Sequence, residues 1–253
     1  MIWGRVAISI PRVSLPLIAE RPVAAPHLKV SEIFESIQGE GVSAGLPCLF
    51  VRLATCNLSC GFCDTAYSWD FDRHDYEHAV REQTVAELGE RIATARSDRL
   101  VLTGGEPLLQ QKAVVELFKQ LTSRLFIEVE TNGTVPPLPE LAARVNQWNV
   151  SPKLANSGEP HSARIRAGAL LALKATGRAW LKLVVQSQAD MAEADGLIAQ
   201  LDWPRDRVLF MPKAATREEL QERAPLVALG AVARGYRFSP RLHIELWGGR
   251  RGV

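Results

Sequence analysis

The sequence is short of cysteine, of net charge and of long apolar runs. Its 253 residues include only four cysteines, three of them within eight residues, which excludes a secreted disulfide framework. The net charge of +2 gives no electrostatic reason to expect a nucleic-acid partner. No stretch approaches the ~20 consecutive apolar residues of a membrane span. We therefore expect a protein of the reducing cytoplasm that binds neither nucleic acid nor membrane.

The composition fits one large α/β domain preceded by a short arm. Hydrophobic residues make up 47% and charged residues 23% of the chain, as is ordinary for globular proteins. Residues 1–27 contain four prolines and a single acid, Glu20, without the uninterrupted apolar core of a signal peptide. We predict an N-terminal extension over residues 1–27 and a single domain over residues 28–253.

Beyond that arm, apolar runs typical of strands alternate with helical patterns. The predicted strands are Leu28–Ile37, Cys48–Thr55, Arg99–Thr103, Leu125–Glu130, Trp148–Ser151, Trp180–Gln186, Arg207–Met211 and Leu242–Trp247. Thr84 and Glu87 form a capping-box pattern that starts a helix, and the apolar spacing predicts another over Pro107–Thr122. Repeated βα units build a parallel sheet, and too few strands for an eightfold barrel predict an incomplete, TIM-like one.

Four polar clusters follow directly on predicted strands. They are Thr103–Pro107, Glu130–Gly133, Ser151–Lys153 and Met211–Lys213. Parallel α/β barrels carry their chemistry at the C-terminal ends of their strands. We therefore expect these clusters to meet in one site on one rim.

The spacing of three cysteines is the strongest chemical signal. Cys56, Cys60 and Cys63 are separated by three and two residues. Three thiolates can bind three corners of a [4Fe–4S] cubane and leave the fourth iron open to chelate a small molecule. A structural zinc site with His74 or His78 as fourth ligand is the alternative, although both histidines lie in a charged run typical of a solvated loop.

This spacing, together with Gly104-Gly105-Glu106, resembles that of the radical S-adenosylmethionine (SAM) enzymes. Within that superfamily the chain resembles the 7-carboxy-7-deazaguanine synthase family, on the motifs Ser36–Gly41, Phe50–Leu53, Cys63–Thr65 and Pro240–Gly248. The resemblance extends from about Leu28 to Val253. It implies that residues 28–253 form a radical SAM domain.

The resemblance also implies a set of binding residues. The [4Fe–4S] cluster binds to Cys56, Cys60 and Cys63, and Mg²⁺ binds to Thr65. SAM contacts Gly104, Gly105, Glu106, Thr131, Asn132, Ser151, Pro152, Lys153, Met211 and Pro212. The substrate, 6-carboxy-5,6,7,8-tetrahydropterin, contacts Ile37, Gln38, Gly39, Glu40, Arg52, Thr103, His243 and, in some relatives, a C-terminal carboxylate such as that of Val253.

Several of these residues have simpler alternatives. Strand alternation places Arg52 on the same side as the first cluster cysteine, and its guanidinium suits a carboxylate, but a structural ion pair would also explain it. Thr65 offers a hard oxygen suited to Mg²⁺, or else caps the following turn. His243, in a predicted strand, is either a substrate contact or a hydrogen-bonded core histidine.

The implied reaction is ring contraction of the tetrahydropterin to 7-carboxy-7-deazaguanine with loss of ammonia. The resemblance further implies an external electron donor of the flavodoxin or ferredoxin type and a homodimeric state. Two other functions stay open on the residues alone. One is a radical SAM activase of a glycyl-radical enzyme, and the other is a non-catalytic zinc or iron–sulfur module.

Overall fold

The computed structural model describes residues 25–253, and the predicted extension lies outside them except for its last three residues. The strands are β1 His27–Ile37, β2 Pro47–Leu53, β3 Arg81–Thr84, β4 Arg99–Gly104, β5 Phe126–Thr131, β6 Gln147–Val150, β7 Ala179–Val185, β8 Val208–Pro212 and β9 Arg237–Phe238. The helices are α1 Tyr76–Ala79, α2 Val85–Ala93, α3 Gln111–Gln120, α4 Pro139–Arg144, α5 His161–Arg164, α6 Ala167–Ala175, α7 Gln188–Gln200, α8 Arg217–Arg234 and α9 Leu242–Trp247. Short 3₁₀ turns lie at Gly41–Ser43, Ala66–Ser68, Pro107–Gln110, Ala155–Ser157 and Arg205–Arg207.

The strands form one sheet in the order β3-β1-β2-β4-β5-β6-β7-β8-β9. β1 pairs antiparallel with both of its neighbours, and every pair from β2 to β9 is parallel. The sheet ends at β3 and β9, which do not pair with each other, so the barrel is open. This confirms the predicted incomplete barrel of parallel βα units.

Side chains along the central strands alternate between an apolar core and the opposite, inner face. In β7, Leu181 and Leu183 are fully buried in the core that packs against the helices. Lys182, between them, lines a cavity on the inner face. The same alternation in β2 buries Val51 in the core and directs Arg52 into that cavity.

The local helix signals are confirmed. At the start of α2, the Thr84 hydroxyl accepts from the Glu87 amide at 3.2 Å, and the Glu87 carboxylate accepts from the Thr84 amide at 2.8 Å. Pro107 begins a 3₁₀ turn that leads into α3, whose buried residues include Leu117 and Phe118. Both helices thereby present an apolar face to the sheet.

One predicted strand is wrong. Leu242–Trp247 is α9, so His243 lies on a helix. The carbonyl of Arg241 accepts from the amides of Ile244 and Glu245, which begins the helix. Two short edge strands, Arg81–Thr84 and Arg237–Phe238, had no apolar pattern from which to predict them.

Candidate active site

The C-terminal ends of the parallel strands surround a cavity of about 630 Å³. Nearly all of the predicted site residues line it: Ile37, Gln38, Gly39, Glu40, Arg52, Cys56, Cys60, Cys63, Thr65, Thr103, Gly104, Gly105, Thr131, Asn132, Ser151, Lys153, Met211, His243 and Val253. Glu106, Pro152 and Pro212 lie outside the lining. The strand-end clusters therefore do meet at one site.

The three cysteines of the loop are half-buried free thiols. The loop is attached to neighbouring segments, since the Gly61 amide donates to the Ser157 carbonyl at 3.0 Å and the Ser59 hydroxyl to Glu159 at 2.9 Å. Burial raises the pKa of Cys56 to about 11, so a metal must displace its proton for the sulfur to become a ligand.

The donor set around this loop fits a cluster with three protein ligands. Among residues 25–253, neither His74 nor His78 lines the cavity, and His78 instead pairs with Asp75 at 2.6 Å on the surface. The Trp69 indole donates to the Cys63 sulfur at 3.2 Å, a contact of the kind that adjusts iron–sulfur clusters. Within the described part of the chain, neither of these two histidines therefore supplies the fourth ligand of a structural zinc site.

Gly104, the last residue of β4, and Gly105 fit against the segment that leads into the cysteine loop because they lack side chains. Gly104 has φ +138°, and a Cβ on it would lie 2.0 Å from the Leu53 carbonyl oxygen. A Cβ on Gly105 would lie 1.9 Å from the Thr55 carbonyl oxygen, which also accepts from the Glu106 amide at 2.8 Å. The glycine motif and the residues just before Cys56 thus form one packed unit.

Glu106 is completely buried beneath the cavity wall. Its carboxylate accepts from the Thr131 hydroxyl at 2.8 Å, the Asn132 amide at 2.7 Å and the Leu108 amide at 3.0 Å. Burial raises the pKa of Glu106. In this structure Glu106 fixes the end of β5, and its contact with a SAM amino group stays a prediction.

On the cavity wall itself, two polar pairs lie beside the cysteines. Asn132 donates through its side chain to Asn57 at 3.0 Å, and its amide nitrogen lies 4.0 Å from the Cys56 sulfur. Lys153 donates to the Ser151 hydroxyl at 3.2 Å. This region offers the Lys153 ammonium and several hydrogen-bonding groups next to the cluster loop.

A cluster of charged residues also lines the cavity. Glu40 pairs with Lys182 and with Arg241, the latter at 3.1 Å, and Arg241 also pairs with Asp64. Burial acts to raise the pKa of Glu40, but the two cations overcome this effect and keep the pKa well below its ordinary value. Lys182 also lies 3.6 Å from Glu130. We refer to these five residues as the Glu40 cluster.

Sequence reasoning predicted Glu40 as a substrate contact and Glu130 as part of a strand-end cluster, but it assigned no site role to Asp64, Lys182 or Arg241. The available signal was the single charged residue inside the apolar run of β7, Lys182. His243 lies beside this cluster, with Nε2 3.8 Å from Glu40, and burial lowers its pKa. Glu40, Asp64 and His243 are metal-ligand types whose atoms lie within 4.8 Å of one another, but Arg241 already pairs with both carboxylates.

The Gln38 side chain takes part in three hydrogen bonds beside the Glu40 cluster. Its side-chain amide donates to Glu128 at 2.8 Å and Glu130 at 3.3 Å, and its carbonyl oxygen accepts from the Glu40 amide at 3.1 Å. The Thr103 hydroxyl donates to Glu130 at 2.8 Å. Hydrogen bonds therefore fix the orientation of the predicted substrate contacts before any ligand binds.

Arg52 combines both interpretations of its role. Its Nε donates to Glu32 at 2.9 Å, so the ion pair exists. Its guanidinium also lines the cavity, and within residues 25–253 no group accepts a hydrogen bond from its two terminal nitrogens.

The Thr65 side chain makes no capping bond, and its hydroxyl lies 3.6 Å from the Cys63 sulfur.

Comparison with known proteins agrees with this geometry. The family model described as a 4Fe-4S single cluster domain matches residues 37–135. The 7-carboxy-7-deazaguanine synthase of Pyrobaculum aerophilum is 40% identical over 231 residues, covering 90% of this chain and 99% of that protein. That of Hyperthermus butylicus is 39% identical and covers 86% of this chain and 92% of that protein.

A solved structure supports the fold alone. The crystal structure of QueE from Escherichia coli aligns with a TM-score of 0.63 at 24% identity, over 84% of this chain and 93% of that chain. Helices long and apolar enough to cross a bilayer are absent from residues 25–253. Because identity of 40% extends over 90% of this chain and 99% of that relative, the chain belongs to the 7-carboxy-7-deazaguanine synthase family of radical SAM enzymes.

Proposed function

We propose that this chain converts 6-carboxy-5,6,7,8-tetrahydropterin to 7-carboxy-7-deazaguanine, with loss of ammonia. The observation that carries the proposal is one cavity lined both by the three-cysteine loop and by the Glu40 cluster, Gln38 and Arg52. The loop has the donors for a [4Fe–4S] cluster. The other residues offer carboxylates for the N–H groups of a pterin and, from Arg52, a guanidinium that faces the cavity for its carboxylate.

The residues have distinct roles in this proposal. When bound, the cluster and SAM supply the carbon radical that removes hydrogen from the substrate. Cys56, Cys60 and Cys63 hold the cluster, and the backbone of Gly104 and Gly105 lies against the SAM site. Ser151 and Lys153 bind the SAM carboxylate and ribose, and Met211 borders the adenine.

The pterin is oriented by residues of the cavity outside the cysteine loop. Gln38, Glu40 and Thr103 bind its flat edge, Arg52 binds its carboxylate, and His243 contacts the ring. All of these side chains except His243 already form hydrogen bonds or ion pairs with neighbouring residues. Little reorganisation therefore accompanies binding. Mg²⁺ binds to the Thr65 hydroxyl and retains waters, since this ion takes few protein ligands.

Anaerobic reconstitution with iron and sulfide, followed by product analysis with SAM, a reductant and the pterin, tests the proposal. We expect ring-contracted product from the wild type and none from Cys60→Ala. A protein that cleaves SAM but leaves the pterin intact would favour a glycyl-radical-enzyme activase. One zinc and no labile sulfide would favour a non-catalytic zinc module.

The electron enters from outside the chain, and we infer a reductant of the flavodoxin or ferredoxin type. A reducing cytoplasm is the compartment that suits three free cysteines of this kind. No nucleic acid takes part in the proposed reaction. Replacing dithionite with purified flavodoxin and its reductase tests the donor, and we expect turnover with both.

A homodimer is also part of this proposal, and α8 supplies the supporting surface. Leu226, Leu229 and Val232 follow one face of its C-terminal half and are 38%, 71% and 77% exposed. On neighbouring α7, the exposed residues Ala192 and Gly196 are small. A second copy could place its large residues against these small ones, so each copy offers both halves of a two-fold contact.

Light scattering on the wild type and on Leu229→Glu tests the dimer. We expect the wild type to be dimeric and the variant monomeric, because the charge would be buried at the contact. Leu171→Glu is the matched control, since Leu171 is 46% exposed and lies on α6. Equal masses for all three proteins would contradict this interface.

A further inference from the structure

One carboxylate in the cavity is shared by two arginines. Glu32 accepts from Arg52 Nε at 2.9 Å and from the Tyr67 hydroxyl at 2.7 Å. The Nε of Arg251 lies 3.6 Å from the other Glu32 oxygen. We refer to these four residues as the Glu32 group.

Arg251 belongs to the segment Gly248–Val253, all of which lines the cavity. Its guanidinium lies over the Tyr67 ring, 3.1 Å from the centroid, so it contacts both the ring and the carboxylate. Glu32, Tyr67 and Arg251 also line a neighbouring hollow of about 230 Å³. These three residues therefore form the wall between the hollow and the main cavity.

Two groups of charged residues in the cavity differ in net charge. The Glu32 group contains two arginines and one carboxylate, which leaves one net positive charge. Tyr67 does not change this count, because burial, together with the bond to Glu32, raises its pKa to about 12. The Glu40 cluster contains three carboxylates and two cations, which leaves one net negative charge.

Without Arg251 the Glu32 group would be neutral. Arg52 would then face the cavity with its charge already balanced by Glu32, and a substrate carboxylate would gain little by pairing with it. Arg251 restores the positive charge beside the Glu32 oxygen that Arg52 Nε does not contact. Its side chain is 56% exposed, whereas that of Arg52 is 15% exposed, so Arg52 is the more buried of the two arginines.

We propose that Arg251 is a specificity-determining residue, which acts through Glu32 to keep Arg52 available for a carboxylate on the substrate. The proposal rests on the proposed function, because that carboxylate belongs to the tetrahydropterin. It assigns to the segment Gly248–Val253 a role in selecting substrates by their charge, and this role depends on the Arg251 side chain.

Steady-state kinetics of the reconstituted holoenzyme test this role. We expect Arg251→Ala to raise KM for the tetrahydropterin roughly tenfold, the scale of one charge-assisted contact, with kcat within about twofold. Arg251→Lys should retain most of the affinity because it keeps the charge. Arg96→Ala removes the same charge from an exposed site before β4, and its KM should equal that of the wild type.

A second substitution separates charge from a structural role. Glu32→Gln in the Arg251→Ala background restores the net positive charge of the Glu32 group, and Gln keeps an acceptor for Arg52. We expect the double variant to recover most of the lost affinity. A tetrahydropterin without the carboxylate should inhibit wild type and Arg251→Ala equally.

The outcomes distinguish this inference from the proposed function. If the wild type makes product but Arg251→Ala has an unchanged KM, the inference is wrong and the function stands. If Arg251→Ala weakens binding but Glu32→Gln does not restore it, a structural role replaces charge selection. If the wild type makes no product from the tetrahydropterin, the proposed function itself fails.

Discussion

Replacing Lys182 with methionine tests how the buried charges of the cavity are balanced. The Lys182 side chain is 6% exposed and pairs with Glu40 and Glu130. Burial acts to lower its pKa, but the two carboxylates raise it, so the ammonium stays charged. The variant Lys182→Met keeps an unbranched side chain that is one atom shorter, and it removes the charge together with the N–H donors.

The expected loss of stability follows from the contacts that Glu40 and Glu130 retain in the variant. Removing one partner of a buried ion pair costs about 3–5 kcal/mol, because the other charge stays buried. Glu40 keeps its contact with Arg241 at 3.1 Å, and Glu130 keeps the Thr103 hydroxyl at 2.8 Å. We therefore expect the lower end of that range, about 3 kcal/mol in the free energy of unfolding.

Urea unfolding under anaerobic conditions measures this change. Adding Glu130→Gln to Lys182→Met should recover more than about 1 kcal/mol, since one unbalanced carboxylate disappears. Lys119→Met is the control, because Lys119 pairs with Glu116 on the surface with 61% of its side chain exposed, and it should cost less than about 0.5 kcal/mol. If Lys182→Met costs no more than Lys119→Met, the ion pairs of the cavity do not stabilise the fold.

Three further predictions concern the loop, the cluster and pH. Gly105→Ala should displace the cysteine loop and lower the iron content after reconstitution, whereas Gly168→Ala, whose Cβ meets nothing within 4 Å, should leave it unchanged. Trp69→Phe removes the hydrogen bond to Cys63 and should lower the reduction potential of the cluster in an EPR-monitored titration; an unchanged potential would show that the bond has no electronic effect. The pKa of Glu40 in the folded protein lies below the ordinary 4.5 of a glutamate, so its stabilising contribution is complete above about pH 4.5 and decreases at lower pH. Glu40→Gln should therefore flatten the dependence of the urea midpoint on pH in that acidic range.

The sequence predicts the parts of the site whose chemistry is local. The spacing of Cys56, Cys60 and Cys63 and the glycines at 104 and 105 are short motifs, and their residues line one cavity as expected. The Glu40 cluster could not be predicted in the same way. Lys182 and Arg241 lie 142 and 201 positions from Glu40 in the chain, so their pairing depends on the tertiary fold and not on a local motif.

The wrong strand at Leu242–Trp247 has a physical explanation. Its polar and apolar residues alternate around His243 and Glu245, a pattern typical of a half-buried strand. A strand also needs a neighbour with free backbone groups, and within residues 25–253 the sheet ends at β9. The segment forms its backbone hydrogen bonds internally, as a helix that buries Ile244.

Cys48 is the cysteine that stays unlabelled when the reactive thiols of the folded protein are counted. It is completely buried, and burial raises its pKa to about 12, so it resists alkylation and oxidation in the folded state. The remaining three cysteines are those of the cluster loop. The number of thiols that a gentle reagent labels in the native protein thus reports the fraction of molecules that have lost iron, and labelling of a fourth thiol reports unfolding.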